Sequence, residues 1–121
     1  MKTKTRTLKR IRIDAPFYDL GGTISNREVA AWIDNRYPAL AIQETSDLES
    51  PGAWDVAQVN SGQLIARLPS KAAAQAALEP LSKLLDWHQP AWAIVPANPG
   101  ELRFLRTSIM AIVAQISRRF A

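Results

Sequence analysis

The residues with the clearest chemical role are the basic side chains at the two ends of the chain. Residues 1–12 carry six cations and no acid, and residues 101–121 carry four cations and one acid. Residues 13–100 hold five cations against ten acids, so an acidic body lies between two basic ends. Lysine and arginine at this density neutralise phosphates and release counterions, which is how proteins bind a nucleic-acid backbone.

These candidate binding residues form two groups. The first begins M-K-T-K-T-R-T-L-K-R-I-R, where an extended chain would place most cations along one edge. The second lies on the polar face of a predicted C-terminal helix. A solvated surface that protects a sheet edge is the alternative interpretation of such cations. The predicted contacts to nucleic acid or to an acidic protein are Lys2, Lys4, Arg6, Lys9, Arg10, Arg12, Arg103, Arg106 and Arg118.

Few residues could support catalysis. In a catalytic interpretation, Asp86 would orient the only histidine, His88, for acid–base work. The alternative is a histidine near a helix C-terminus that interacts with its carbonyl groups. One histidine and no cysteine leave few ways to assemble a nucleophile, a base and an orienting group. The sequence therefore predicts a protein that is not an enzyme and has no catalytic residues.

The acidic and glycine-rich segments show no ligand-binding pattern. Glu44, Asp47 and Glu49 share a loop but lack the spacing of a calcium-binding loop. Gly21-Gly22 precedes a predicted helix, but neither phosphate-binding glycine motif is present. Without cysteine, thiolate-ligated zinc and iron–sulfur clusters are excluded. We expect no metal and no cofactor.

Composition favours one compact domain. The chain has 121 residues, of which 47% are apolar and 21% are charged, so it can bury a core. No uncharged apolar run approaches the ~18–20 residues of a membrane span, and no export signal is evident. The cysteine-free composition fits a reducing compartment. We expect a cytoplasmic protein with a flexible basic arm over residues 1–7 and a single domain over residues 8–121.

Periodicity predicts the element order β-α-β-β-β-α-β-α. The predicted fold class is α+β: a single small domain with an antiparallel or mixed sheet of four to five strands and about three helices packed on it. A strand over residues 7–13 is followed by a loop over residues 14–22. The later segments are a helix beginning near Ser25, a strand over 39–44, a hairpin over 54–68, a helix from Lys71, a strand over 91–95 and a helix from about residue 100 to Phe120.

Local signals support these elements to different degrees. Ser25-Asn26-Arg27-Glu28 has capping-box spacing, which predicts the first helix. Asn60-Ser61-Gly62 predicts a three-residue hairpin turn with glycine in the left-handed region. Ser70 predicts a helix N-cap, and Pro80 predicts a kink or a new helix. The hairpin–helix unit over residues 54–85 resembles units of many small bacterial, phage and plasmid proteins, but its residues are structural and imply no activity.

The tryptophans add a second class of candidate interface. Core packing is the first interpretation of Trp32, Trp54, Trp87 and Trp92, because each lies in a periodic apolar segment. A tryptophan exposed beside an arginine would instead form a stacking platform or an interface anchor. The apolar stripe of the last helix would also suit a two-fold helix pair in a homodimer.

Two binding functions and one enzymatic function remain after these exclusions. The preferred one is a small non-enzymatic regulatory protein that contacts nucleic-acid backbone through its basic arm and C-terminal helix. The alternative is a protein–protein module: an adaptor, an inhibitor or a self-associating accessory protein of a phage or plasmid. An enzyme is the third, and it would need a cleft that holds His88 and a carboxylate.

Overall fold

The computed structural model describes residues 8–18, 24–45, 47, 49–90, 93, 96 and 98–120. They form a single small α+β domain with a five-stranded antiparallel sheet, in which each strand pairs with the next along the chain. Two helices occur in this described part, where the sequence predicts about three. The elements are β1 Leu8–Tyr18, β2 Ile24–Asp34, β3 Leu40–Glu44, β4 Trp54–Gln58, β5 Leu64–Leu68, α1 Lys71–Ser82 and α2 Pro99–Arg119.

The second element is a strand, so the predicted helix near Ser25 is wrong. β2 pairs with β1 along the full length of both strands, from Tyr18 opposite Ile24 to Leu8 opposite Asp34. Its apolar residues fit a helical spacing, but Val29, Ala31 and Ile33 also alternate as a strand requires. β1 supplies hydrogen-bond partners for this alternative, and tertiary pairing therefore overrides the local capping signal.

The predicted loop over residues 14–22 is also wrong in its first part, because β1 continues to Tyr18. Pro16 has no amide hydrogen to donate, but β1 lies at the edge of the sheet and pairs on one side only, so the fold accommodates the proline. Edge strands tolerate proline because one side of the strand has no partner to bond.

The central hairpin is confirmed. β4 and β5 pair antiparallel, and the Gly62 amide donates to the Gln58 carbonyl at 2.8 Å. Gly62 has φ of 72°, in the left-handed region that the turn demands. A register shift at Val56 and Ala57 adds a bulge on the β5 side.

Both helices contact the sheet through one apolar core. The Ser70 hydroxyl accepts the Ala73 amide at 3.1 Å, which confirms the predicted N-cap of α1. The helix continues through Pro80 and ends at Ser82. Its alanines allow close approach to the sheet, because small side chains keep the two backbones near each other. The fully enclosed core comprises Leu40, Ile42, Val56, Leu68, Ala73, Ala74, Ala77, Leu78 and Leu81.

A second apolar cluster lies on the other face of the sheet. Its centre is formed by buried Ile13, Ala31, Ala41 and Ala57. The register places these residues on the opposite side of the strands from Trp32, Ile42 and Val56. Both faces of the central strands are thus apolar, which explains why β3 is buried at four of its five positions.

Two predictions concern residues outside the described part. The basic arm over residues 1–7 lies there, as does the strand over residues 91–95 apart from Ala93. The Ala93 amide donates to the Pro90 carbonyl at 2.9 Å. Neither α1 nor α2 has the length and apolar composition to cross a membrane.

Asp55 gives a direct test of this packing. It is 1% exposed and accepts from the Arg67 Nε at 2.8 Å. Arg67→Ala should lower the free energy of unfolding by about 3 kcal/mol, because it leaves the buried Asp55 carboxylate without its ion-pair partner. Urea unfolding followed by circular dichroism measures this loss.

Glu79→Gln provides the control for that substitution. It removes the exposed Lys83–Glu79 pair and should change stability by no more than about 0.5 kcal/mol. Equal effects of the two substitutions would contradict the placement of Asp55.

Candidate nucleic-acid interface

α2 is positioned by a cap at its start and by an apolar stripe along one side. The Asn98 side chain accepts the Gly100 amide at 2.8 Å and the Glu101 amide at 3.3 Å. Ile116 is buried, and Ile109, Ile112 and Val113 pack beside it on the core. The predicted C-terminal helix is therefore confirmed, and part of the stripe that would suit a homodimer is used within the protein itself.

The opposite side of α2 carries exposed cations. With 3.6 residues per turn, the inward stripe leaves Arg103, Thr107 and Arg118 facing away from the core, with Arg106 beside them. All three arginines are exposed. The only acid on the helix is Glu101 in its first turn, where it complements the helix dipole.

These arginines have no carboxylate partner among the described residues. No carboxylate oxygen of that part of the chain lies within 4.0 Å of Arg103, Arg106, Arg118 or Arg119. Their charge is therefore available to an external anion. In physical terms, this surface is a row of solvated guanidinium groups that can donate to phosphate oxygens.

Two arginines of the acidic body are paired instead. Arg67 donates to Asp55 at 2.8 Å and to Asp47 at 2.6 Å, and Arg36 forms a two-pronged contact with buried Asp34 at 3.1 and 2.7 Å. The fold thus pairs Arg36 and Arg67 internally and leaves the arginines of α2 in solvent.

The Asp47 carboxylate shows the electrostatic effect of this pairing. Its pKa is lowered from the ordinary value of 3.8, first by the hydrogen bond from the Glu49 amide and then by the Arg67 side chain. Since the folded pKa lies below the unfolded one, these contacts stabilise the protein above about pH 4. Their contribution is lost as the pH falls through the folded value.

The cations of β1 lie apart from those of α2. Lys9 and Arg10 are exposed on one edge strand, whereas α2 packs against α1 and β5 at the other edge. Four strand spacings of ~4.8 Å separate the two edges by roughly 19 Å. The structure therefore divides the predicted set into two sites and does not join it into one surface.

Arg12 differs from its neighbours because it has an internal partner. It donates to Glu28 across the hairpin at 3.0 Å, with side chains 76% and 55% exposed. An exposed pair of this kind contributes about 0–1 kcal/mol, so a phosphate group can compete for Arg12. The three remaining predicted contacts, Lys2, Lys4 and Arg6, lie outside the described residues.

His88 and Asp86 do line one cleft, which has a volume of about 310 Å³. However, the Asp86 carboxylate accepts the backbone amide of His88 at 3.1 Å and the Gln89 side chain at 3.3 Å. The Gln58 side chain donates to the Trp87 and Gln89 carbonyls, both at 2.7 Å. These bonds hold a turn, and no described carboxylate forms an ion pair with the His88 ring.

Metal-binding geometry is absent from the part of the chain that the structure describes. No three histidine or carboxylate residues there come close enough together to hold an ion. Asp47 contacts Arg67, and Glu44 lies on β3 beside Trp54, so the acidic loop of the sequence does not converge on one point.

The sequence did not reveal one cluster that the register brings together. Trp32 on β2 and Trp54 on β4 have ring centroids 5.6 Å apart, and the Lys71 ammonium lies over both rings. Arg10 is the cross-strand partner of Trp32. A cation therefore lies beside this aromatic pair, which is the arrangement expected of a stacking platform. This contact is not evident in the sequence, because the helix predicted near Ser25 includes Trp32. Trp87 is buried, and Trp92 lies outside the described residues.

Comparison of this chain with protein-family models, with curated proteins and with solved structures gives no match.

The orientation of α2 can be tested by a pair of substitutions. Ile116→Ala should cost about 2–4 kcal/mol of unfolding free energy, because it leaves a cavity in the core. Phe104→Ser should change it by less than about 0.5 kcal/mol, because Phe104 is 75% exposed. Thermal unfolding followed by circular dichroism measures both, and a larger loss for Phe104→Ser would show that the outward face is assigned incorrectly.

Proposed function

We propose that this protein binds the phosphate backbone of nucleic acid, without catalysing a reaction, through the outward face of α2. The observation that carries the proposal is the contrast in pairing. Three body cations, Arg36, Arg67 and Lys83, contact carboxylates. Arg103, Arg106 and Arg118 are exposed and have no described carboxylate partner. Selection for solubility alone would not require this separation of charge.

The geometry of α2 suits an extended anion. Arg103 and Arg118 are 15 residues apart in the helix, which corresponds to roughly 22 Å at ~1.5 Å per residue. This distance equals about six steps of duplex DNA at ~3.4 Å per base pair. Arginine donates two parallel hydrogen bonds to a phosphate, and Thr107 supplies a further hydroxyl donor on the same face.

Lys9 and Arg10 form the second contact in this proposal, together with Lys2, Lys4 and Arg6 of the arm. Lys9 and Arg10 lie at the opposite sheet edge from α2, roughly 19 Å away at ~4.8 Å per strand spacing, so they would contact a different stretch of the backbone from the arginines of α2. Affinity then comes from charge, and sequence preference is weak.

The salt dependence of binding tests the α2 contact. For Arg103→Gln/Arg106→Gln, the slope of log affinity against log salt should become shallower by about 1.8, since each lost phosphate contact removes ~0.9 on duplex DNA. Fluorescence anisotropy of a labelled mixed-sequence duplex, measured over a series of salt concentrations, gives the slope.

Lys71→Gln/Lys83→Gln is the charge-matched control, because both residues are exposed and neither is a proposed phosphate contact. It should leave most of the slope in place. Equal slopes for the two double variants would mean that net charge alone drives binding, and no detectable binding by the native protein would remove the proposal. Deletion of residues 1–7 measures the separate contribution of the arm.

A protein partner is the second candidate function, and one observation favours it. Phe104 and Met110 are 75% and 70% exposed on the same helix as the arginines. Large apolar side chains flanked by arginine are common at the centres of protein interfaces. An acidic protein would complement both features.

Phe104→Ser/Met110→Ser distinguishes these two functions. A phosphate interface should keep its affinity for duplex DNA within about a factor of two in this variant, because uncharged side chains contribute little to counterion release. If the native protein ignores nucleic acid but self-associates in sedimentation, and the variant is monomeric, the protein-interface function is the correct one.

A further inference from the structure

A pair of tryptophans on the helix-bearing face of the sheet forms a wedge for a cation. Trp32 stands opposite Ile42 and Trp54 stands opposite Glu44, so the two indoles approach each other diagonally across β3. Their centroids are 5.6 Å apart and their planes are inclined by 54°. Both residues are partly buried, so part of each side chain remains accessible to solvent.

Lys71 occupies this wedge. Its ammonium nitrogen lies 4.9 Å from the Trp32 centroid and 5.4 Å from the Trp54 centroid, which is cation–π contact with two ring faces. Lys71 forms no ion pair with any described carboxylate. Cation–π contact with the two indole rings is therefore the attractive interaction that the structure shows for the Lys71 ammonium.

The position of Lys71 in the fold is electrostatically unfavourable for its positive charge. It is the first residue of α1, and the first turn of that helix contains no acid. A helix N-terminus carries partial positive charge, so a lysine there is disfavoured. Lys71 is also exposed, so its ammonium retains access to water. The wedge thus holds a weakly bound internal cation that another cation can displace.

The wedge favours a cation without hydrogen atoms on nitrogen. A lysine ammonium has three N–H donors that two indole faces cannot satisfy, and it loses strong hydration when it enters an aromatic site. A quaternary ammonium has no such donors, and its methyl groups contact the rings directly. Glu44 is exposed and is the cross-strand neighbour of Trp54 on this face, so it adds negative charge nearby.

We infer that the Trp32–Trp54 wedge is a binding site for a trimethylammonium group, in competition with Lys71. Choline and a trimethylated lysine side chain both present this group. The site uses residues of β2, β4 and α1, and none of them is a proposed phosphate contact. Arg10 of β1, which is one, is the cross-strand neighbour of Trp32. The titrations below contain no nucleic acid, so they test the site separately from the nucleic-acid proposal.

Titration with tetramethylammonium chloride tests the site, with sodium chloride at equal ionic strength as the reference. The indole N–H signals of Trp32 and Trp54, followed by nuclear magnetic resonance, should shift and saturate with a dissociation constant on the order of millimolar. Lys71→Met should tighten binding by about two- to fivefold, because the competing ammonium is gone and the alkyl stem remains. Glu44→Gln should weaken it.

Lys83→Met is the matched control, since it removes one exposed lysine of the same helix region that is paired with Glu79. It should leave the dissociation constant unchanged. A linear response equal to that of sodium, or identical titrations of the Lys71 and Lys83 variants, would overturn the inference. Because all three substituted residues are exposed, loss of folding does not confound the result.

Two further titrations identify the source of the group. Choline is compared with a short unstructured peptide that contains one trimethyl-lysine, and the same peptide with unmodified lysine is the reference. Tighter binding of the modified peptide indicates a protein ligand, and tighter binding of choline indicates a small molecule or a lipid headgroup. Failure of both, when tetramethylammonium also fails, rejects the site.

Discussion

The narrow apolar contact between α2 and the core determines how this protein presents its charge. Ile116 is buried, and Ile109, Ile112 and Val113 cover the same side of the helix. A helix held by one stripe has no freedom to rotate, because rotation would expose that stripe to water. Arg103, Arg106 and Arg118 must therefore face solvent. The exposed cationic surface of α2 is a consequence of core packing.

Internal ion pairs in the body increase the contrast between its paired arginines and the exposed arginines of α2. Arg36 and Arg67 each contact a carboxylate that is almost fully buried, Asp34 and Asp55. Such pairs are costly to break because each would leave a buried charge alone. Arg36 and Arg67 are therefore held within the body. In the proposed binding mode, an external anion contacts the arginines of α2 at one sheet edge and the cations of β1 at the other.

The sequence predicted the elements whose signals are local and missed those set by pairing. Gly62 and Ser70 identified the hairpin turn and the α1 cap, because each position admits few other residues. β2 was assigned to a helix, because its apolar residues satisfy both helical and strand periods and only the partner strand decides between them. That error also concealed the contact of Trp32 with Trp54. The α2 arginines were predicted from spacing alone, whereas their distance from the β1 cations required the strand order.

Backbone amide mapping by nuclear magnetic resonance, during titration of the intact protein with a short duplex, shows directly whether α2 binds nucleic acid. If it does, the largest shifts fall on the outward positions of α2, around Arg103, Thr107 and Arg118, and they collapse when salt is raised. Shifts spread evenly over the acidic body, or confined to the cleft beside His88, would contradict the proposed binding through α2.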